Sequence, residues 1–169
     1  MLIYVETSLH TKAVPIYEQT AEFSKNPPAD VIDVPEGRIG IGSITNRFRS
    51  NELEPCSVLA IANPWRSCFA FWHVYAGQEP KKRDVEDLQP LIGGCACPVY
   101  GSRSIPIINA LRDLFKSLDI TLTDPISVET RGKNGSAGCF HAAFRPAANQ
   151  ILVARISYED IQQFPAFTL

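Results

Sequence analysis

Two apolar runs on either side of a proline turn constrain this chain more than any other feature. Residues 56–61, Cys-Ser-Val-Leu-Ala-Ile, and residues 68–76, Cys-Phe-Ala-Phe-Trp-His-Val-Tyr-Ala, are each apolar enough for a strand buried on both faces. Between them lies Asn63-Pro64-Trp65-Arg66, with proline where the second position of a type I turn accepts it. The spacing predicts an antiparallel hairpin. Centring it on Pro64 and Trp65 puts Cys56 directly across from His73, with Cα atoms roughly 4.5–5.5 Å apart. Cys68 then faces Ile61 and points to the other side of the ribbon from His73. A thiol with a pKa near ~8.5 is mostly protonated at neutral pH, and an adjacent imidazole can take its proton and leave a nucleophile able to attack an amide or ester carbonyl. The same two residues also serve as core: a small buried hydrophobe and a hydrogen-bonded histidine.

The rest of the composition narrows the function classes. With 169 residues, 45% hydrophobic and 20% charged, the chain is sized for one domain with a continuous core. A formal charge of −2 and scattered basic residues give no general attraction to nucleic acid or anionic lipid. The opening MLIYVETSLH lacks a basic start, and no apolar run approaches the ~20 residues of a spanning helix, so direct membrane insertion is not expected. Five cysteines (Cys56, Cys68, Cys95, Cys97, Cys139) are an odd count in a chain too large to need stapling, which favours thiols in a reducing compartment. The expected location is the cytoplasm, of the producing cell or of a target cell if the protein is an effector.

Along the chain, LIYVE reads as a strand and AVPIYEQTAEFSK as a helix. The breaker NPPAD then makes residues 1–30 an N-terminal extension and residues 31–169 the main domain. VIDVPEGRIGIGSI is strand-rich, TNRFRSNELEP is a polar connection, and GQEPKKRDVEDLQP is a charged, solvated loop. Ile107, Ile108, Leu111, Leu114, Phe115 and Leu118 recur at helical spacing. ITLTDPISVET reads as strand, turn, strand, RGKNGSAG as a loop, and CFHAAF and ILVARIS as strands around a turn.

Other groupings compete for chemistry. Cys95 and Cys97 with His73 or His141 make a zinc set of poor spacing, and Cys139 with His141 shares one strand face as an alternative dyad. His10 lies in a polar segment and reads as solvated, while Trp65, Phe69, Phe71 and Trp72 read as packing, with an aromatic beside His73 able to narrow an entrance.

The motifs together resemble the CheD family of chemoreceptor glutamine deamidases, which share a cysteine–histidine hydrolase fold with cytotoxic necrotizing factor toxins. In that family a cysteine opens an apolar strand and a histidine follows 17 positions later, the separation of Cys56 and His73. LIGGCACPVYGSRSIPIINALRDLFKSLDI is similar to the family's Gly-Gly, Gly-x-Arg-Asn and following helix, with Gly93, Gly94, Gly101 and Arg103 at matching places, and FRPAANQILVAR resembles its Phe-x-Pro turn and closing strand. The similarity covers residues of about 32 to 155, in order. It departs before the nucleophile, where Glu52-Leu53-Glu54-Pro55 replaces Gly-Leu-Gly-Ser and Pro55 has no N–H to donate. ETRGKNGSAG retains little of the family's Asp-x-Gly-Gly-x-x-Gly-Arg.

The resemblance implies an α+β fold of mixed and antiparallel sheets packed with helices in a layered sandwich. It implies a hydrolase in which Cys56 is nucleophile, His73 is acid and base, and Ser50, standing where the family has threonine, orients the imidazole. Main-chain N–H groups of Cys56 and Ser57 would bind the oxyanion, and Gly93, Gly94 and Arg103 would contact substrate. Neither metal nor cofactor is required. The substrate would be a protein, a chemoreceptor helix or another glutamine-bearing surface, converted from amide to carboxylate with release of ammonia. Two alternatives stand beside it: an interaction module that keeps the fold without turnover, and an amidohydrolase acting on N-terminal asparagine.

Overall fold

A computed structural model of the protein describes residues 3–7, 21–24, 26–51, 53, 56–76, 81–101, 105–130 and 138–157. The strands in chain order are β1 (Ile3–Thr7), β2 (Val31–Asp33), β3 (Ile39–Gly42), β4 (Arg47–Ser50), β5 (Ser57–Asn63), β6 (Cys68–Val74), β7 (Cys95–Gly101), β8 (Thr121–Leu122), β9 (Ile126–Val128), β10 (Gly138–Arg145) and β11 (Gln150–Ser157). Helix α1 (Lys82–Leu88) precedes β7, and α2 (Ile105–Ser117) follows it. One sheet has the order β1-β11-β10-β4-β2; the other runs β3-β6-β5-β7-β8, with β9 also on β7. Both mix parallel and antiparallel pairs: β1 with β11, β2 with β4, and β7 with β8 and β9 are parallel. The molecule is an α+β sandwich.

The two sheets face each other. Phe48, Phe140, Ala142, Phe144, Ile151 and Val153 of the first meet Val58, Ala60, Phe69, Phe71 and Val99 of the second in one buried cluster. At its centre the rings of Phe48, Phe71 and Phe144 lie 6.0 to 6.5 Å apart between centroids. The opposite face of the second sheet is covered by α1 and α2, where Leu59, Ile61 and Trp72 pack on Leu88, Leu111 and Phe115. Covered on both faces, β5 is buried at every position, which is why its sequence is uninterrupted by polar alternation.

The hairpin forms, with a longer connection than the sequence suggested. Pro64–Arg66 make a 3-10 turn, Ser67 takes a left-handed φ of 50°, and the Asn63 side chain accepts from the Arg66 N–H at 3.3 Å. Four residues therefore join the strands, and the register shifts by two: Val58, not Cys56, faces His73, and Asn63 faces Cys68. The physical reason is twist. A two-residue type I turn would splay the strands, whereas a helical turn closed by a left-handed residue follows their twist. A shift of two preserves the faces, so Cys56 and His73 stay on the same side of the ribbon.

Two segments are ordered where the sequence suggested none. The polar connection contains β4, whose Phe48 points into the core while Arg47 and Arg49 alternate outward, and the charged loop contains α1, begun by a hydrogen bond from the Lys81 N–H to Asp84 Oδ2 at 2.6 Å. The first thirty residues, expected as an extension, supply β1 to the first sheet and a 3-10 turn, Ala21–Phe23, whose Phe23 packs on Ala143, Leu152 and Ala154. Glu22 in that turn is fully buried. Its carboxylate takes Arg145 Nε and Nη2 at 2.6 and 2.7 Å and Arg47 Nη1 at 3.2 Å, while Arg49 binds Asp33 and the carbonyls of Glu22 and Ser24. Burial opposes ionisation of Glu22, but the Arg145 fork together with the charges of Arg145 and Arg47 outweighs it and holds the carboxyl below its ordinary range.

Candidate active site

Ser50 ends β4 on the same face as Phe48, and so points from the first sheet towards the second. It is 2% exposed, and its Oγ lies 2.7 Å from the Val34 carbonyl and 2.7 Å from His73 Nδ1. Elementary accounting fixes the protons. The carbonyl can only accept, so the one hydroxyl proton goes to Val34 O, and Oγ must then accept from Nδ1–H. His73 is thereby the Nδ1–H tautomer, with a lone pair on Nε2. That nitrogen is buried and has no hydrogen-bond partner among the described residues.

The main chain of His73 is held as well. Its N–H donates to Arg38 O at 3.0 Å and its carbonyl accepts from the Gly37 N–H at 2.8 Å. Gly37 has φ 71° and sits third in the turn Pro35–Arg38, closed by Arg38 N–H to Pro35 O at 3.1 Å, a position that type II geometry reserves for glycine. Burial pushes the His73 pKa down to about 4, with the Val34 carbonyl opposing. The resting imidazole is neutral, an acceptor at Nε2.

Cys56, 4% exposed, belongs to the cluster between the sheets and precedes β5 by one residue. Continuing the observed register by one step sets it across from Tyr75, on the same face as Val58 and His73. It is thus the diagonal neighbour of His73, at a Cα spacing of roughly 7–8 Å, within reach of long side chains. A thiol and an imidazole oriented through Nδ1 on one face are the groups that proton transfer from sulfur to nitrogen requires.

The other predicted residues that are described take up different positions. Ser57, whose N–H was expected as an oxyanion donor, lies in β5 between β6 and β7, so that N–H points along the plane of the sheet. Its Oγ faces the helical layer, buried and without a partner among the described residues. Gly93 and Gly94, expected as substrate contacts, stand away from Cys56 and His73. They precede β7 beside Ala62, at the far end of β5, roughly 20 Å from Cys56 at ~3.3 Å per residue. A Cβ on Gly94 would lie 2.5 Å from Ala62 O, so packing alone requires glycine there. The other end of β7 does reach the site: Tyr100 pairs with Ser57, bringing Gly101 beside Cys56. Arg103 and His10 lie outside the described residues, as do Glu52, Glu54 and Pro55.

The competing groupings do not assemble at this centre. Cys139 and His141 alternate with Phe140 and Ala142 and therefore face outward from the first sheet, where His141 packs at 6.0 Å from Phe23. Among the described residues no three His, Cys, Asp or Glu side chains gather closely enough to hold a metal ion, and Cys95 and Cys97 with either histidine do not. Trp72 points into the helical layer against Phe115, and Trp65, expected as packing, is 93% exposed at the hairpin tip. No helix among the described residues is long and apolar enough to cross a membrane. Compared with known proteins, the chain matches no family model and no curated protein.

Proposed function

We propose that the protein is a cysteine-dependent amidohydrolase that converts a glutamine side chain on another protein to glutamate. The observation that carries this is the Ser50–His73 hydrogen bond of 2.7 Å with Val34 O as the outer acceptor, which leaves Nε2 as a buried base on the face that also bears Cys56. The collinear sequence similarity to glutamine deamidases supplies the substrate class.

In this mechanism His73 Nε2 takes the Cys56 proton as sulfur attacks the amide carbon. The N–H of Cys56 is the oxyanion donor kept from the sequence expectation. The imidazolium returns the proton to the departing nitrogen, so ammonia leaves and a thioester remains. His73 then takes a proton from water, hydroxide adds to the thioester, and collapse releases glutamate and restores the thiol. Glutamine and water are consumed; glutamate and ammonia are formed. Burial of both groups suits an amide carried on a slender side chain that reaches inward, and the change from neutral to anionic suits a switch on a protein surface, such as a chemoreceptor helix. The chemistry belongs in a reducing compartment, the cytoplasm of the producing or of a target cell.

The test is mass spectrometry of peptides and proteins bearing internal glutamine, or N-terminal asparagine, after incubation with the protein. A gain of about one dalton at glutamine, lost in Cys56→Ala, is expected from the hydrolysis above. Gain at N-terminal asparagine alone would replace the substrate class, and gain that survives Cys56→Ala would overturn the nucleophile.

A further inference from the structure

Among the described residues four large apolar side chains are exposed: Ile41, Ile44, Trp65 and Tyr75. Three of them belong to the hairpin-tip end of the second sheet. Ile41 is registered against Ala70 and Ile44 follows in the next turn, while Trp65 is the tip itself. Tyr75 is at the opposite end. It follows β6 by one residue, two positions beyond His73 and so on the same face, and is 47% exposed where Cys56 and His73 are each 4% exposed. The register continued by one step sets it directly across from Cys56. A polypeptide bringing an amide to the buried sulfur from this end passes an aromatic ring that the fold has left half in water.

Resting on the deamidase reading, we infer that Tyr75 is the specificity-determining residue at the mouth of the site, its ring packing against the methylene stem of the incoming glutamine and the adjoining substrate backbone. An aromatic is suited to this position because it offers a large, stiff apolar surface at little conformational cost while its hydroxyl stays hydrated. The ring, not the hydroxyl, does the work, so phenylalanine replaces it and alanine does not. The contact is made in the bound state and in the transition state alike, which places its effect in KM and leaves kcat nearly unchanged.

The experiment measures covalent labelling of Cys56 in the full chain by two electrophiles: iodoacetamide, too small to need the ring, and a peptide carrying 6-diazo-5-oxonorleucine in place of glutamine. Tyr75→Ala is expected to raise the peptide concentration for half-maximal labelling about tenfold with the maximal rate kept, Tyr75→Phe to behave as wild type, and iodoacetamide to label all three alike. Peptide labelling unchanged in Tyr75→Ala, with wild type labelled efficiently, overturns the role of Tyr75 and leaves the deamidase reading standing. Failure of the peptide to label Cys56 in wild type while iodoacetamide does so overturns that reading and this role with it.

Discussion

His73 and His141 are buried alike, and burial pushes both to a pKa of about 4, with Arg49 adding to the effect at His141. Their surroundings give them different capacities. His73 stands at the end of β6, bridged by Ser50 across the gap between the sheets, with Nε2 on the face of Cys56 and an exposed tyrosine two residues on. His141 stands within β10, fully buried on the outward face of the first sheet beneath Phe23, where the Glu22–Arg145 pair pins the covering turn. Each has a cysteine two residues or one strand away. A buried imidazole near a thiol is therefore common to both; the Ser50 bridge across the sheets and the approach from a strand end belong to His73.

The largest effect that separates the two is on turnover. His73→Asn should lower glutamine deamidation about 10³-fold, the order expected for loss of a general acid and base, whereas His141→Asn should leave turnover per folded molecule within a few-fold. Equal losses in steady-state assays would erase the distinction.

Next comes the covering turn. Arg145→Ala removes the fork on a fully buried carboxylate and should cost about 3 kcal/mol in urea denaturation, with turnover of the folded fraction kept. An unchanged midpoint would mean that the pair does not hold residues 21–24 on the sheet.

Acid should then reveal both histidines together. Each is neutral in the fold down to about pH 4 but protonates near its ordinary value of 6.5 when unfolded, so the unfolded chain binds protons that the native state refuses. Stability is complete above about pH 6.5 and falls as the pH drops towards 4, by about 3 kcal/mol per histidine at most. Glu22 and Asp30, held below their ordinary range, add their losses only at more acid pH. Urea midpoints at pH 7 and 4.5 test this, and either asparagine variant should flatten the slope; identical midpoints in wild type would contradict it.

The smallest effect concerns the bridge. Ser50→Ala removes both hydrogen bonds of the hydroxyl, to Val34 O and from His73 Nδ1–H, and should lower kcat about tenfold, with Ser50→Thr restoring most of it because the hydroxyl returns. No change in the alanine variant would show that the imidazole is oriented without the hydroxyl.

What could be read in advance follows the same division between pattern and geometry. The runs that became β5, β6 and α2 were legible because burial on both faces, or on one helical face, writes itself as uninterrupted or periodic apolar residues. Strand β4 was not, since Arg47 and Arg49 look solvated until Glu22, Asp30 and Asp33 are seen to meet them. The face shared by Cys56 and His73 survived a wrong register because the error was even; an odd one would have parted them. Ser50 came only from the resemblance, as nothing local distinguishes it from other serines, and its acceptor Val34 O lies in a loop 16 residues earlier. The glycine pair has local reasons of its own, a left-handed φ of 80° at Gly93 and the close approach of Ala62 O at Gly94, which the sequence alone does not separate from a ligand contact. Tyr75 could have been found by counting two residues on from His73.

The most direct measurement is the pH dependence of Cys56 alkylation by iodoacetamide between pH 5 and 8, followed by mass spectrometry beside the partly exposed Cys68. If His73 takes the proton of Cys56, the rate at Cys56 stays level across that range, because the base remains unprotonated down to about 4, while Cys68 slows about tenfold per unit. A Cys56 rate that falls in step with Cys68 and is untouched by His73→Asn would contradict the pairing of this thiol with this imidazole.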